Sequence, residues 1–348
     1  MSWSEKTVLI TGGTGSFGRQ LTSLLMADYR PKKIIIFSRD EMKQFAMRAE
    51  GFDAANIRYF IGDVRDKERL YRAFYDVDIV IHAAAMKQVP CAEYNPFEAI
   101  KTNVMGAANV IDAAIDCGVQ HVIALSTDKA ALPVNLYGAS KLCSDKLFVA
   151  GNVYAGARKT RMSVVRYGNV AGSRGSVIPY FWEQKKTGRL TITDKRMTRF
   201  LITLEQGARF VMSCLEQMHG GEIFVPKIPS VQIRDLAEVI APECSIEFVG
   251  IRPGEKLHEV MIPRDDARHT VELEDFFVIQ PDFRWWDAAN WSSGEPCVDS
   301  FEYASNTNSH WLGRDEIALL LAQLGFKSRS ENQQPHEPAF LRAVAAAR

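Results

Sequence analysis

The hydrophobic pattern of the first 172 residues alternates between two periods. Short, nearly continuous runs rich in β-branched residues occur at 7–12 (TVLITG), 33–38 (KIIIFS), 57–63 (IRYFIGD), 78–85 (DIVIHAAA), 121–127 (HVIALST) and 162–170 (MSVVRYGNV). Longer amphipathic stretches separate them, among them 16–28, 96–117 and 136–154. Runs of the first kind read as strands buried in a parallel sheet, and segments of the second kind as helices covering its two faces. The pattern therefore predicts an α/β fold, a doubly wound parallel sheet, over residues 1–172. From 173 to 325 the rhythm changes to a helix near 178–187, a strand LTIT at 190–193, a long helix at 204–218 and shorter irregular pieces. This region is expected to form most of a smaller substrate-binding part, with some elements returning to the sheet. Residues 326–348 are polar and proline-containing before an Ala-rich end, and are expected to be a loosely ordered tail.

Composition narrows the picture only a little. The chain has 348 residues, 47% of them hydrophobic, enough for a sizeable core. Its 42 basic and 42 acidic residues balance, so overall charge gives no support for a nucleic-acid or membrane partner, and any anion site must be local. Six cysteines are scattered without a C-x-x-C pair, against a metal site or a disulfide framework and in keeping with a reducing compartment. No apolar run reaches the roughly 20 residues of a membrane span. The first residues lead straight into a strand with no basic, apolar leader before it, so a cytoplasmic protein is expected.

The stretch VLITGGTGSFGRQL carries Gly12, Gly15 and Gly18 directly after the first strand and at the opening of a helix. Glycines there allow a tight turn and close approach of the backbone to a pyrophosphate, while the helix N-terminus supplies positive potential. Thr14, Ser16 and Phe17 belong to the same expected cofactor-binding turn. The second strand ends in FSRDEMK, where many NAD enzymes carry an acid. Arg39, with Ser38 and Lys43, suits the 2′-phosphate of NADP; the competing reading has Asp40 on a ribose and Arg39 in solvent. Asp63 and Val64 after the third strand, and Ala83, Ala84 and Lys87 after the fourth, extend the cofactor set along successive strand C-termini.

Chemistry concentrates in LSTDKAALPVNLYGASK, residues 125–141. Tyr137 and Lys141 are four apart and share a helix face. A neighbouring ammonium is expected to lower the phenol from its usual value of about 10, making a base that can deprotonate an alcohol beside a nicotinamide. Immediately upstream stand Thr127, Asp128 and Lys129.

The motifs TGGTGSFG, NVMGAANV, LSTDKA, NLYGASK and RYGNVAGSRGSVIP resemble those of the extended short-chain dehydrogenase/reductases that modify nucleotide sugars. More narrowly the chain resembles the inverting UDP-N-acetylglucosamine 4,6-dehydratases of pseudaminic acid biosynthesis. The likeness runs from about residue 6 to about 325 and includes RPGEKLHE and YASNTN. Leu132, Val134 and Ser140 depart from the commoner AANPINLYGATK form, but every ionisable residue of the motif is kept. The resemblance implies that Tyr137 and Lys141 serve oxidation at carbon 4, with Thr127 steadying that oxygen. It also implies that Asp128 and Lys129 serve loss of water across carbons 5 and 6. Which of the two is the base at carbon 5 stays open; as base, Lys129 would need its pKa depressed by burial and by Lys141. Retaining relatives carry Thr, Asp, Glu at these three positions, and 4-epimerases generally lack the acid and base pair.

The resemblance further implies a UDP-sugar pocket, with Asn169, Arg174, Thr193, Arg199, Arg252, Glu255 and Lys87 as expected substrate contacts and the three arginines as phosphate candidates. Glu255 either orients an arginine or holds a ribose. His82, at a strand end, reads as a packed histidine rather than a base. The same fold also serves UDP-sugar 4-epimerases and retaining dehydratases, and an NADP-sensing regulator is the non-enzyme alternative. Helices at 96–117 and 136–154 are expected to pack in a homo-oligomer, as in relatives, although the monomer's core could equally claim their apolar faces.

Overall fold

The computed structural model describes residues 1–173 and 175–326; Arg174 and the expected tail from 327 onward lie outside the described residues. The first half runs β1 (Thr7–Thr11), α1 (Ser16–Leu24), β2 (Lys33–Ser38), α2 (Glu41–Ala49), β3 (Ile57–Ile61), α3 (Lys67–Phe74) and β4 (Ile79–His82). It continues through α4 (Val89–Tyr94), α5 (Pro96–Ile100), a π-helical segment Lys101–Met105, α6 (Gly106–Cys117), β5 (His121–Leu125), a 3₁₀ turn Asp128–Ala130, α7 (Leu136–Tyr154) and β6 (Arg161–Val165). The second half follows with β7 (Asn169–Val170), α8 (Val177–Lys185), β8 (Arg189–Ile192), β9 (Thr198–Ile202), α9 (Leu204–Gln217) and β10 (Ile223–Pro226). Next come β11 (Ser230–Gln232), α10 (Ile233–Ile240), β12 (Ser245–Phe248), β13 (Val260–Ile262) and α11 (Arg264–Ala267). β14 (Thr270–Glu272), β15 (Phe276–Ile279), β16 (Glu295–Pro296), β17 (Tyr303–Ala304) and α12 (Arg314–Gln323) complete the described chain.

A ten-stranded sheet in the order β16-β14-β15-β10-β6-β5-β4-β1-β2-β3 forms the frame. Strands from β3 to β10 are parallel, and β15, β14 and β16 add an antiparallel edge. β10, β14, β15 and β16 of the C-terminal half lie in this sheet. Every residue of β1 is buried, because helices cover both faces. The order reverses between β1 and β4, so the loops leaving their C-terminal ends diverge and open a crevice there.

One expected strand divides. The run 162–170 leaves the main sheet after Val165, and β7 pairs instead with β9 in a small sheet. Arg166 at the break is buried and pairs with Asp145 of α7 at 3.4 Å, while a Cβ on Gly168 would come within 2.5 Å of Phe200. The chain crosses here from the large sheet into a second cluster of buried apolar residues, including Ile178, Phe181, Leu190, Leu201, Leu236 and Ile240.

α7 starts cleanly because Asn135 caps it, accepting from the Gly138 N–H at 2.8 Å. Its first turn lies directly against the 3₁₀ turn, and a Cβ on Gly138 would collide with the Lys129 carbonyl oxygen. Glycine at 138 is what lets Tyr137 stand beside Thr127, Asp128 and Lys129.

Gly138→Ala should therefore destabilise the fold by about 1–3 kcal/mol, since neither backbone can yield freely. Gly207 lies inside α9, where a Cβ would meet only Ile202 at 3.9 Å, so Gly207→Ala should be neutral or stabilising by up to about 1 kcal/mol. Urea unfolding of the two variants checks the contrast.

Candidate active site

A cleft of about 740 Å³ lies along the C-terminal ends of β1, β2, β4 and β5. All the expected cofactor residues line it: Gly12, Thr14, Gly15, Ser16, Phe17, Gly18, Ser38, Arg39, Asp40, Lys43, Asp63, Val64, Ala83, Ala84, Lys87, Tyr137 and Lys141. At its floor Gly12 has φ +67° and lies so near Ala84 that a Cβ would come within 2.9 Å of that backbone. The N-cap of α1 is Gly15, which offers no side chain to the first-turn N–H groups. Asp40, Asp66 and Asn135 cap α2, α3 and α7 in the ordinary way. The contrast leaves the α1 terminus suited to an anionic group from outside the chain.

At the end of β2, Arg39 is largely exposed and pairs loosely with Asp63 at 3.7 Å. Asp40 spends its carboxylate on the Lys43 backbone N–H at 3.0 Å and the Lys43 ammonium at 3.1 Å, and these contacts hold its pKa low. Asp63 is gripped by Arg65 at 2.7 Å, which also keeps it ionised. Phe17 stacks on Tyr167, with centroids 6.4 Å apart, as part of the cleft wall.

The catalytic candidates meet at one end of this cleft. Thr127, Lys129, Tyr137 and Lys141 line it, and Asp128 lies fully buried behind them. Thr127 donates to Asp128 Oδ1 at 3.1 Å, and Lys129 Nζ lies 3.0 Å from the same oxygen. Asp128 Oδ2 is buried without a hydrogen-bond partner. Burial pushes the Asp128 carboxyl above its ordinary range, although Lys129 opposes the shift.

Two electrostatic expectations are corrected. Burial lifts the Tyr137 phenol to about 12; the influences favouring its phenolate are the charge of Lys129 and a hydrogen bond with Thr127, not Lys141. Lys141 is buried and pushed below its ordinary value, with Asp145 opposing that shift. Lys129 is raised, not depressed: burial alone would lower it, but Asp128 and Glu259 together outweigh burial and Arg199. These directions favour the ammonium form of Lys129 and the phenol form of Tyr137.

The expected substrate residues separate. Lys87 and Asn169 line the cleft, and burial lowers the pKa of Lys87. Thr193 is buried just past β8. Arg199 is buried too, its guanidinium donating to the carbonyls of Thr198, Lys256 and Leu257. It also lies 3.7 Å from Glu255 and from Glu259, so little of it is left for a ligand. Arg252 is mostly exposed and forms a two-point bond with Glu255, at 3.1 and 2.9 Å. That bond holds Glu255 ionised against its partial burial. His82 is a buried core histidine, bonded to Thr11 Oγ1 at 2.8 Å and pushed down to about 3 by burial.

Several neighbours were not foreseen. Glu259 contacts Lys129 at 3.1 Å. Asp145 receives Ser126 at 2.7 Å beneath Lys141. Asn103, in the π-helical segment, bonds both Met86 backbone groups, at 2.8 and 2.9 Å, and Ser140 at 2.9 Å. Asn103 and Glu259 lie inside the motifs NVMGAANV and RPGEKLHE, but nothing local in either motif says what they touch. The second motif reaches the catalytic loop through Asn135 Nδ2 to Gly254 O at 2.7 Å and Lys256 Nζ to Ala131 O at 2.6 Å.

Comparison with known proteins agrees with this geometry. The inverting UDP-N-acetylglucosamine 4,6-dehydratase of Campylobacter jejuni serotype O:2 is 57% identical over 328 residues, covering 92% of this chain and 98% of that protein. A UDP-glucose 4-epimerase of Rickettsia conorii is 42% identical over 333 residues, covering 92% and 97%. Among solved structures, Pen from Bacillus thuringiensis is 37% identical with a TM-score of 0.86, covering 94% of this chain and 100% of that one. The model of the polysaccharide biosynthesis protein family matches residues 8–281, which span the glycine turn, the catalytic loop and the RPGEKLHE segment. With its Rossmann sheet and the tyrosine and lysine of the short-chain dehydrogenase/reductases at the cleft, the chain belongs to the polysaccharide biosynthesis protein family.

Proposed function

We propose that the chain is an NADP-dependent 4,6-dehydratase of UDP-N-acetylglucosamine that inverts carbon 5. Its product would be UDP-2-acetamido-2,6-dideoxy-β-L-arabino-hex-4-ulose, the first intermediate of pseudaminic acid biosynthesis. The observation carrying this reading is the Asp128 and Lys129 pair, 3.0 Å apart, beside Thr127 and Tyr137 at the end of a dinucleotide-sized cleft. The Campylobacter relative supports the substrate and the stereochemistry by its name. The Rickettsia relative favours a second reading, UDP-sugar 4-epimerase. Epimerisation acts at carbon 4 alone and has no use for a further buried acid and amine, which supports dehydration.

The open α1 terminus would take the pyrophosphate, and Arg39 with Lys43 the 2′-phosphate of NADP. A nicotinamide cofactor held by these residues would supply the hydride acceptor for carbon 4 and the hydride donor for carbon 6, with no net redox change. Tyr137 takes the proton of the carbon-4 hydroxyl as its phenolate, the form that the charge of Lys129 and a hydrogen bond with Thr127 favour against burial, while Thr127 hydrogen-bonds the substrate oxygen. Moving one proton across the 3.0 Å from Lys129 Nζ to Asp128 Oδ1 converts an ammonium and a carboxylate into an amine and a carboxylic acid. Those are the forms elimination requires, and the burial that raises Asp128 favours them. Lys129 then removes the proton on carbon 5, acidified by the adjacent ketone, and Asp128 protonates the departing carbon-6 hydroxyl. Water leaves, and the original ion pair is restored. A solvent-derived proton delivered to carbon 5 from the opposite face inverts it, and Tyr137 releases to solvent the proton it took from the carbon-4 hydroxyl, so that protons balance over the cycle.

Action in the cytoplasm is part of the proposal, supported by free thiols at all six cysteines and by the absence among the described residues of a helix able to cross a membrane. Assembly as a homo-oligomer is supported by exposed Tyr94, Phe97, Met105 and Tyr154.

Purified protein given UDP-N-acetylglucosamine without added cofactor should form a 4-keto-6-deoxy sugar; proton NMR with inverted carbon 5 fits the proposal, and a 4-epimer alone refutes it. Lys129→Ala should cut turnover by about 10²–10⁴-fold and stop solvent deuterium entering carbon 5. Transient nicotinamide reduction should persist in that variant but be slowed, because oxidation at carbon 4 uses Tyr137, whose phenolate loses the favouring charge of Lys129, and single-turnover absorbance checks this. Arg39→Ala should weaken NADP binding about tenfold to a hundredfold and leave NAD binding nearly unchanged, as loss of a charged hydrogen bond costs about 1.5–3 kcal/mol. Titration calorimetry with both cofactors measures it.

A further inference from the structure

Glu259 ends the RPGEKLHE segment and enters β13, far in sequence from the catalytic turn. Its backbone is fixed by reciprocal bonds with Ser305, the Glu259 N–H donating to Ser305 Oγ at 2.9 Å and the Ser305 N–H to the Glu259 carbonyl at 2.8 Å. Its side chain is 2% exposed, and a carboxylate so placed is costly unless well compensated. Two of the cations around it are held loosely. Arg199 Nε is 3.7 Å away and Arg199 gives its hydrogen bonds to carbonyls, while Lys256 Nζ is 3.7 Å from Oε2 and donates instead to Ala131 O. The close contact is Lys129, at 3.1 Å from Oε1. Lys129 is thus held between two buried carboxylates, Asp128 and Glu259.

We infer that Glu259 is a positioning residue: it holds the Lys129 amino group beside Asp128 and sets the pH at which that amine becomes free to act as a base. The role of base rests on the function proposed above; the hold on the proton does not. The groups facing the amine are Asp128 on its own turn, Tyr137 from α7, Arg199 from β9, and Lys256 and Glu259 from the 252–259 segment. Asp128 and Glu259 favour the ammonium, Arg199 opposes it, and burial opposes it as well. Removing the Glu259 charge takes away a stabiliser of the ammonium, so the amine deprotonates at lower pH. A neighbouring opposite charge of this kind shifts a pKa by about 1–3 units.

The experiment uses the full chain and reads Lys129 in two ways. In the absence of substrate, competitive acetylation of Lys129 followed by mass spectrometry across pH gives the midpoint of its titration. With UDP-N-acetylglucosamine, the pH profile of solvent-deuterium entry at carbon 5 gives the midpoint of the base step. Glu259→Gln should move both midpoints down by about 1–3 pH units with KM changed less than about threefold. Glu259→Asp, which keeps the charge but withdraws it, should move them less in the same direction, and it serves if the glutamine variant fails to fold. Unmoved acetylation midpoints in both variants overturn the inference. A moved acetylation midpoint with an unmoved exchange profile overturns the role in the reaction. Absence of any product from the unaltered protein defeats the proposed function, while the acetylation arm still decides whether Glu259 governs the proton.

Discussion

The fully buried carboxylate of Asp128 is the constraint around which the catalytic end of the cleft is built. A group with no exposed surface must be neutralised from within the fold, and Lys129 at 3.0 Å is the neutralising charge. Such pairs contribute little net stability, yet breaking one by removing a partner typically costs about 3–5 kcal/mol. Stability alone would be served as well by two apolar side chains of similar volume. The arrangement is intelligible as chemistry: burial pushes the pKa of the carboxyl up, Lys129 opposes that shift as its counter-ion, and the same amine, 3.0 Å away, can pass it a proton.

The rest of the structure brings distant segments to that pair. β5 delivers Thr127 and Asp128 at the C-terminal edge of the sheet, one strand beyond the β4–β1 reversal, and Gly138 allows α7 to approach the 3₁₀ turn closely. The opposite wall comes from the 252–259 segment, pinned to the catalytic loop through Gly254 and Lys256 and tied internally by Arg252, Glu255 and Arg199. Arg199, read from sequence as a phosphate ligand, is instead an interior strut of this wall.

What the sequence made legible was local. Periodicity located the strands of the parallel sheet, because residues buried on both faces must all be apolar. The glycine turn and the Thr127, Asp128, Lys129, Tyr137 and Lys141 set were readable because fixed short spacings translate directly into a shared turn or helix face. Partners supplied from elsewhere in the chain stayed hidden. The split of 162–170 depends on Arg166 meeting Asp145 and on Gly168 meeting Phe200. The upward shift of Tyr137 depends on its depth of burial, and that of Lys129, which overcomes burial, depends on Glu259 as well as on Asp128; neither the depth nor Glu259 is encoded by any spacing within residues 125–141.

Glu259 also constrains what residue 129 can be. With lysine there, the charges of Asp128, Lys129 and Glu259 alternate in sign, and a single proton can pass between the first two while Glu259 stays ionised. With glutamate at 129, three carboxylates would crowd the same buried space, with only the loosely held Arg199 and Lys256 nearby, each 3.7 Å from Glu259, which favours protonation of one of the acids. Lysine at 129 and glutamate at 259 therefore form one charge-matched unit written in two places. On the proposed function, the identity of the group that would face carbon 5 depends on both segments folding together.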